Sequence, residues 1–246
     1  GDGFLFKSSR RCVSSNDISA TNSGSGFTFN ASTNVRVEKA IAYSNYWGMA
    51  FWGGASSSNI IRSNQSYRNK ADGVLAQLGA RQNRLVGNRF FSNASMGLLM
   101  LDSRSNRLVG NRITKNGAVG LKLERSHASV ISNNLIASNT LGGILLTNGG
   151  ANLNAFIRNI IFRNGGRGID LWTGSNNRFL NNDVYAHSTR GARLNGGTVR
   201  TNRFVNNILL SNGAVGVTNA ALGTTWEYND VFGHAADYKN SVAFAV

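Results

Sequence analysis

The stretch GLLMLDSRSNRLVGNRITKN, residues 97–116, decides the fold. It holds three short runs, LLML, RLV and RIT, each closed off by Gly, Asn or Ser. Their apolar side chains keep a period of two, which reads as strand, and runs this short cannot be helices. The plan starts again at Gly120 with GLKL and at Gly143 with GILL. Working outward, the series is Gly3, Gly26, Gly48, Gly73, Gly97, Gly120, Gly143, Gly168, Gly191 and Gly216, at intervals of 22–25 residues.

A second column is asparagine: Asn64, Asn88, Asn111, Asn134, Asn159, Asn182, Asn207 and Asn229. An apolar residue stands three before each, from Ile61 and Leu85 to Phe204 and Trp226. Five after the column comes another Asn at 69, 93, 116, 139, 164 and 212, with His187 and His234 in the same place. Three strands per repeat at this period predict a solenoid in which each strand pairs with its counterpart one coil away, about 4.8 Å along the axis. The expected fold is all-β: a parallel β-helix of about ten coils and three parallel sheets, roughly 45–50 Å long. Asparagine suits its corners twice over. It tolerates the left-handed backbone region, and its stacked amides can bond from coil to coil.

Composition agrees. Of the 246 residues 41% are apolar and 15% charged, with 29 Gly and no Pro. This is no disordered chain, and no apolar run approaches the roughly 18 residues of a membrane span. Cys12 is the single cysteine, which excludes a disulfide framework. No charged-then-apolar signal segment opens the chain, so it reads as mature, trimmed or cytosolic. One domain, 1–246, is expected: coils over 1–232, then a C-terminal cap or another strand over 233–246. Solenoids need capped ends. With none visible, the chain reads as a fragment of something longer, or as one whose open ends stack on a partner.

The pattern G-I-x-L…N-x-L-x-x-N-x-I-x-x-N in residues 97–116 and 143–164 resembles the right-handed parallel β-helix repeat of the pectate-lyase-like superfamily. It is most similar to the Asn-rich type shared by NosD-like proteins, carbohydrate-binding and sugar-hydrolase domains and mannuronan C5-epimerases. The resemblance implies right-handedness and an extracellular, cell-surface or periplasmic location. It says little about activity, since this scaffold carries lyases, hydrolases, epimerases, tailspikes and adhesins. The D-P-H-D type motif of mannuronan epimerases is missing, as is the glycine-rich calcium nonapeptide.

In a β-helix function sits on outward positions and corners. Counting from each column glycine, positions +2 and +4 should face out. They bring together Leu75, Leu99, Leu101 and Leu145, flanked by Trp52. Such a patch marks an interface or groove, unless a loop or residues 235–246 fold over it. The same rows hold Lys122, Glu124, Asp170, Trp172 and Arg193. By resemblance such a face holds the chemistry: Trp52 and Trp172 stack on sugar rings, and Lys or Arg grips uronate carboxylates. A lyase or epimerase needs a base and a neutralising cation. Lys122 and Arg193 are the candidates, with Glu124 and Asp170 beside them; the bland alternative is a solvated salt-bridge lattice.

Hydrolysis is disfavoured. Glu124 and Asp170 lie two coils apart with backbones about 10 Å from each other, at the edge of the about 6.5–9.5 Å of inverting enzymes. The 11 acids are scattered, so neither calcium nor any other metal or cofactor is expected. His187 and His234 read as corner residues. His127, near Glu124 and Arg125, reads as a base or simply as a polar loop residue.

The formal charge is +15, from 26 Lys+Arg against 11 Asp+Glu. Arg84, Arg89, Arg107 and Arg112 form a compact square across two coils. It suits a polyanion: uronate polysaccharide, sulfated glycan, lipopolysaccharide or nucleic acid. Nucleic acid is disfavoured, because few aromatics interleave the square and no recognition motif appears. The bland alternative is solubility and suppression of edge-to-edge pairing.

The expectation is a protein that binds an acidic, uronate-type polysaccharide. Modification by β-elimination or C5-epimerisation is an open extension. The rival is a non-catalytic surface, adhesin or assembly module that self-associates through the leucine patch or its open ends.

Overall fold

The computed structural model describes residues 1–52 and 56–240. They form three parallel sheets and no helix. The first sheet has 11 strands, from Phe4–Lys7 to Ala236–Asn240. The second has 10, from Val13–Ser15 to Thr225–Glu227, and the third 10, from Ile18–Ala20 to Asp230–Phe232. A small extra ladder joins Gly174–Ser175 to Val199–Arg200. Each strand pairs in parallel with those one repeat away, so the period of the sequence is the period of the hydrogen bonding.

Beyond residue 232, Ala236–Asn240 adds a strand to the first sheet beside Val215–Asn219. It extends the sheet and does not lie over the leucines; residues 241–246 fall outside the described residues.

Inward positions stack like on like. Phe156, Phe179, Phe204 and Trp226 lie face to face with centroids 4.6, 4.3 and 4.1 Å apart, and Phe29 sits 4.5 Å from Phe51. Parallel in-register pairing enforces these contacts, and ring stacking adds to the burial they bring.

The column glycines serve close approach. A Cβ on Gly97 would collide with Ile113 of the third sheet and lie 2.7 Å from the Gly120 carbonyl. Glycine therefore points inward, and so does the next residue. The period-two alternation breaks there, and the residue before each glycine faces out.

The corner asparagines divide their expected work. Asn134 donates through Nδ2 to the Leu108 carbonyl (3.0 Å) and to Asn159 Oδ1 (3.0 Å). Its own Oδ1 accepts the backbone N–H and the Nδ2 of Asn111, at 2.8 and 3.0 Å. The left-handed backbone falls one residue earlier, on Ser63, Asn133, Arg158, Asn181, Asn206 and Tyr228. Hydrogen bonding, not tolerance of positive φ, is what selects asparagine in the column.

A third ladder, outside the two columns read from the sequence, opens the second sheet: Asn59, Asn83, Asn106, Asn154, Asn177 and Asn202. Ser129 interrupts it, its hydroxyl accepting only the Asn106 backbone N–H. His187 replaces asparagine by imitation. Its Nδ1 accepts the Asn164 N–H at 3.2 Å, and its Nε2 faces the Ile161 carbonyl at 3.1 Å. These partners fix the neutral Nε2–H tautomer, and burial lowers its pKa to about 4.

Candidate functional site

The outer face of the first sheet carries three rows, not two. Besides +2 and +4, the residues before the column glycines face outward, and successive coils place Val119, Gly142, Arg167 and Arg190 in register. The break in alternation at glycine hid this row, which could have been found by reading the residue before every column glycine.

Of the sequence-predicted residues, Lys122, Leu145, Asp170 and Arg193 stand in one register line, and Glu124 pairs with Thr147. The cluster is really two. Lys122 Nζ lies 2.8 Å from Glu124, which also receives Arg125 at 3.1 Å. Arg125 in turn forks onto Asp102 at 2.6 and 3.0 Å. Burial pushes the Glu124 carboxyl up. Hydrogen bonds from Lys122 and Asn148, with the Lys122 and Arg125 charges, outweigh it and hold the pKa below the usual value.

Two coils on, Asp170 is buried under four donors. Arg193 forks onto it at 2.7 and 2.8 Å, Arg167 Nη1 lies at 3.3 Å, and the Trp172 indole N–H at 3.1 Å. Arg193 also rests over the Trp172 ring, 4.5 Å from its centroid, while Trp172 stays 49% exposed. A ring held between a guanidinium and water is a ready stacking surface for a sugar.

Leu75 is buried, and Leu99, Leu101 and Leu145 are half-buried, because large neighbours crowd the face. Trp52 meets Trp47 edge-on at 5.5 Å. Asp72, in the same row as Trp47, is buried and accepts the Met96 N–H at 2.9 Å. Burial raises its pKa against that hydrogen bond, another from Ser95 and the Lys122 charge.

The arginine square belongs elsewhere. Arg84 pairs with Arg107 on the second sheet and Arg89 with Arg112 on the third, all four exposed. Arg89 stacks over Phe91 at 5.2 Å, beside a file in which Tyr43, Tyr67 and Phe91 stack at 5.4 and 4.9 Å. The ridge is thus more aromatic than its sequence suggested, but the rings stack on one another. His127 bridges to Arg104 of the previous coil through the backbone.

Residues 1–165 match the family model described as periplasmic copper-binding protein (NosD), and residues 97–243 match that of the right handed beta helix region. The chain belongs to the NosD and right-handed β-helix families. No curated protein matches this NosD-family β-helix. Among solved structures it is similar to the periplasmic alginate epimerase AlgG, at TM-score 0.73 and 15% identity over 81% of this chain and 51% of that one. It is also similar to the Azotobacter vinelandii mannuronan C-5 epimerase AlgE6 A-module (TM-score 0.66, 16%, 95% and 65%). A third is pectate lyase Pel9A (TM-score 0.57, 12%, 89% and 70%). At these identities the likeness is one of fold, and the chain spans about half the length of AlgG.

The NosD description names copper. Among the described residues no three His, Cys, Asp or Glu come together in a metal-binding group. Met49 and Met100 are buried in the core, Met96 stands alone of its kind on the outer face, and Cys12 has no such company. These donors do not fit a resident copper ion.

Proposed function

We propose that this β-helix binds an acidic polysaccharide along the outer face of its first sheet, outside the cytoplasm. The observation that carries the reading is the half-exposed Trp172 packed against Arg193, with Arg167 alongside: an aromatic surface for a sugar ring beside guanidiniums for its acid group. The family's periplasmic description and the polysaccharide-acting fold neighbours point the same way.

The geometry favours holding over turnover. Lys122 is salt-bridged to Glu124, and Arg193 is tied to both Asp170 and Trp172. A cation so engaged orients and neutralises; it is poorly placed to remove a proton. Epimerisation or β-elimination remains the extension, with Lys122 and Arg193 as the cations and Glu124 and Asp170 as their partners. Trp52 would extend the contact along the sheet, and the Arg84, Arg89, Arg107 and Arg112 square would attract the polyanion without orienting it. In the non-catalytic assembly reading, Leu75, Leu99, Leu101 and Leu145 would form the interface.

The test is a panel of polyuronates, sulfated and neutral glycans, followed by binding and by ultraviolet absorbance of unsaturated product. Binding to acidic glycans that Trp172→Ala weakens about tenfold supports the reading. Absorbance growth would extend it to a lyase. No interaction with any acidic glycan overturns it.

A further inference from the structure

Two guanidiniums, those of Arg167 and Arg193, share the single carboxylate of Asp170, and a third, that of Arg190, lies near enough to Arg167 to repel it. Arg193 spends both prongs of its fork on Asp170. Arg167 gives it one weaker bond, and its Nε is buried without a partner. Arg190 has no hydrogen bond or ion pair among the described residues, and its Nε too is buried and unpartnered. Yet Arg167 and Arg190 are register partners on neighbouring strands, where like charges directly opposite destabilise a sheet. Buried donors left unpaired add to that cost.

Next to this excess charge lies a hollow. Gly142 takes the place in the outward row that Val119 holds one coil before and Arg167 one coil after. The dent is lined by Val119, Leu141, Leu145, Arg167 and Asp170 around Gly142, with Leu141 60% exposed at its rim.

We infer that Arg167 and Arg190 together form a binding site for one oxyanion, a carboxylate or sulfate ester carried on a sugar whose apolar side rests over the shallow dent of about 30 Å³ at Gly142. The anion would bridge the two half-exposed guanidiniums and cancel their repulsion. Arg193, held by Asp170 and stacked on Trp172, adds its charge to the site and leaves the direct contacts to Arg167 and Arg190. The inference names the subsite within the polysaccharide reading and rests on it for the sugar, though not for the anion.

The test uses Arg190→Gln, which removes a guanidinium that holds no partner, and Gly142→Val, which fills the hollow with the side chain of the preceding coil. Inorganic sulfate is titrated against chloride at constant ionic strength, followed by melting temperature and calorimetry. A polyuronate and a sulfated galactan form the second arm. Without anion, Arg190→Gln should melt at or above the wild-type temperature, because a repulsion is gone. Its affinity for sulfate, or for whichever glycan binds, should fall at least about tenfold. Gly142→Val sets a Cβ 3.1 Å from the Arg167 carbonyl, so its sulfate response is read beside its melting temperature; with that temperature unchanged it should keep the response and lose the glycan. Sulfate binding that depends on Arg190, without any glycan binding, keeps the oxyanion site and removes the polysaccharide reading. Glycan binding that Arg190→Gln leaves intact, with no sulfate response, overturns the site and keeps that reading.

Discussion

His187 shows how a single residue reads its place in the repeat. The fold asks that position for an acceptor on one side and a donor on the other, and a neutral imidazole supplies both. Its pKa falls from about 6.5 in the unfolded chain to about 4 in the folded one. A lowered value means that folding disfavours the proton. The stabilisation is therefore full above pH about 6.5 and is lost as pH falls through 4, by at most about 3 kcal/mol. His187→Asn should keep the ladder and lose this pH dependence, so the two urea midpoints should diverge on acidification between those limits. Equal slopes would show that His187 is not the acid-sensitive group. The residue's corner role was legible because it fell in the Asn69 column. Its tautomer was not, because that depends on two backbone partners in the preceding coil.

At the scale of the element, the ladder is what the sequence revealed most and least. The columns through Asn64 and Asn69 repeat almost without fault, so the period exposed them. The one through Asn59 is broken by Ser129 and begins only in the third coil, so counting missed it. The left-handed corners were legible in part: Gly87, Gly110, Asn133, Asn181 and Asn206 carry turn chemistry, whereas on Arg158 and Tyr228 the coil geometry imposes the conformation. The break at Ser129 makes a prediction. Ser129→Asn should let Asn106 and Asn154 bond through it and raise stability on the order of 1 kcal/mol. Asn134→Ala should lower it by about 3 kcal/mol or more, leaving several buried backbone and amide groups unpaired. Denaturant midpoints decide both. A destabilising Ser129→Asn would mean that the stack has no room for the amide there.

For the whole molecule, charge and site separate by sheet. The arginine square lies on the second and third sheets, and the tryptophan face on the first. Replacing Arg84, Arg89, Arg107 and Arg112 together by Gln should flatten the salt dependence of polyanion binding, with a log–log slope smaller by up to about 3. Discrimination among glycans should stay as it was. A change of preference without a change of slope would place recognition on the ridge instead. The sequence showed this charge plainly and already set it on the second and third runs of the repeat, as in RLV at Arg107 and RIT at Arg112. Its outward rows on the first run, however, were counted from glycine as though alternation ran through it. The same oversight concealed Arg167 and Arg190, the two arginines whose place in the register defines the oxyanion site.

Coil after coil repeats the same backbone pairing on the same three sheets, and most repeat the same corner asparagines. Any two column glycines are therefore equivalent junctions. An unequal crossover between two gene copies at such points would delete or duplicate a whole turn and leave the backbone ladders and most corner amides with suitable partners. The rod can change length in one step without passing through an unfolded ancestor. Duplication near Gly142 would also alter the spacing between Trp52 and the Arg167–Arg190 pair, offering selection a longer or shorter ligand to fit.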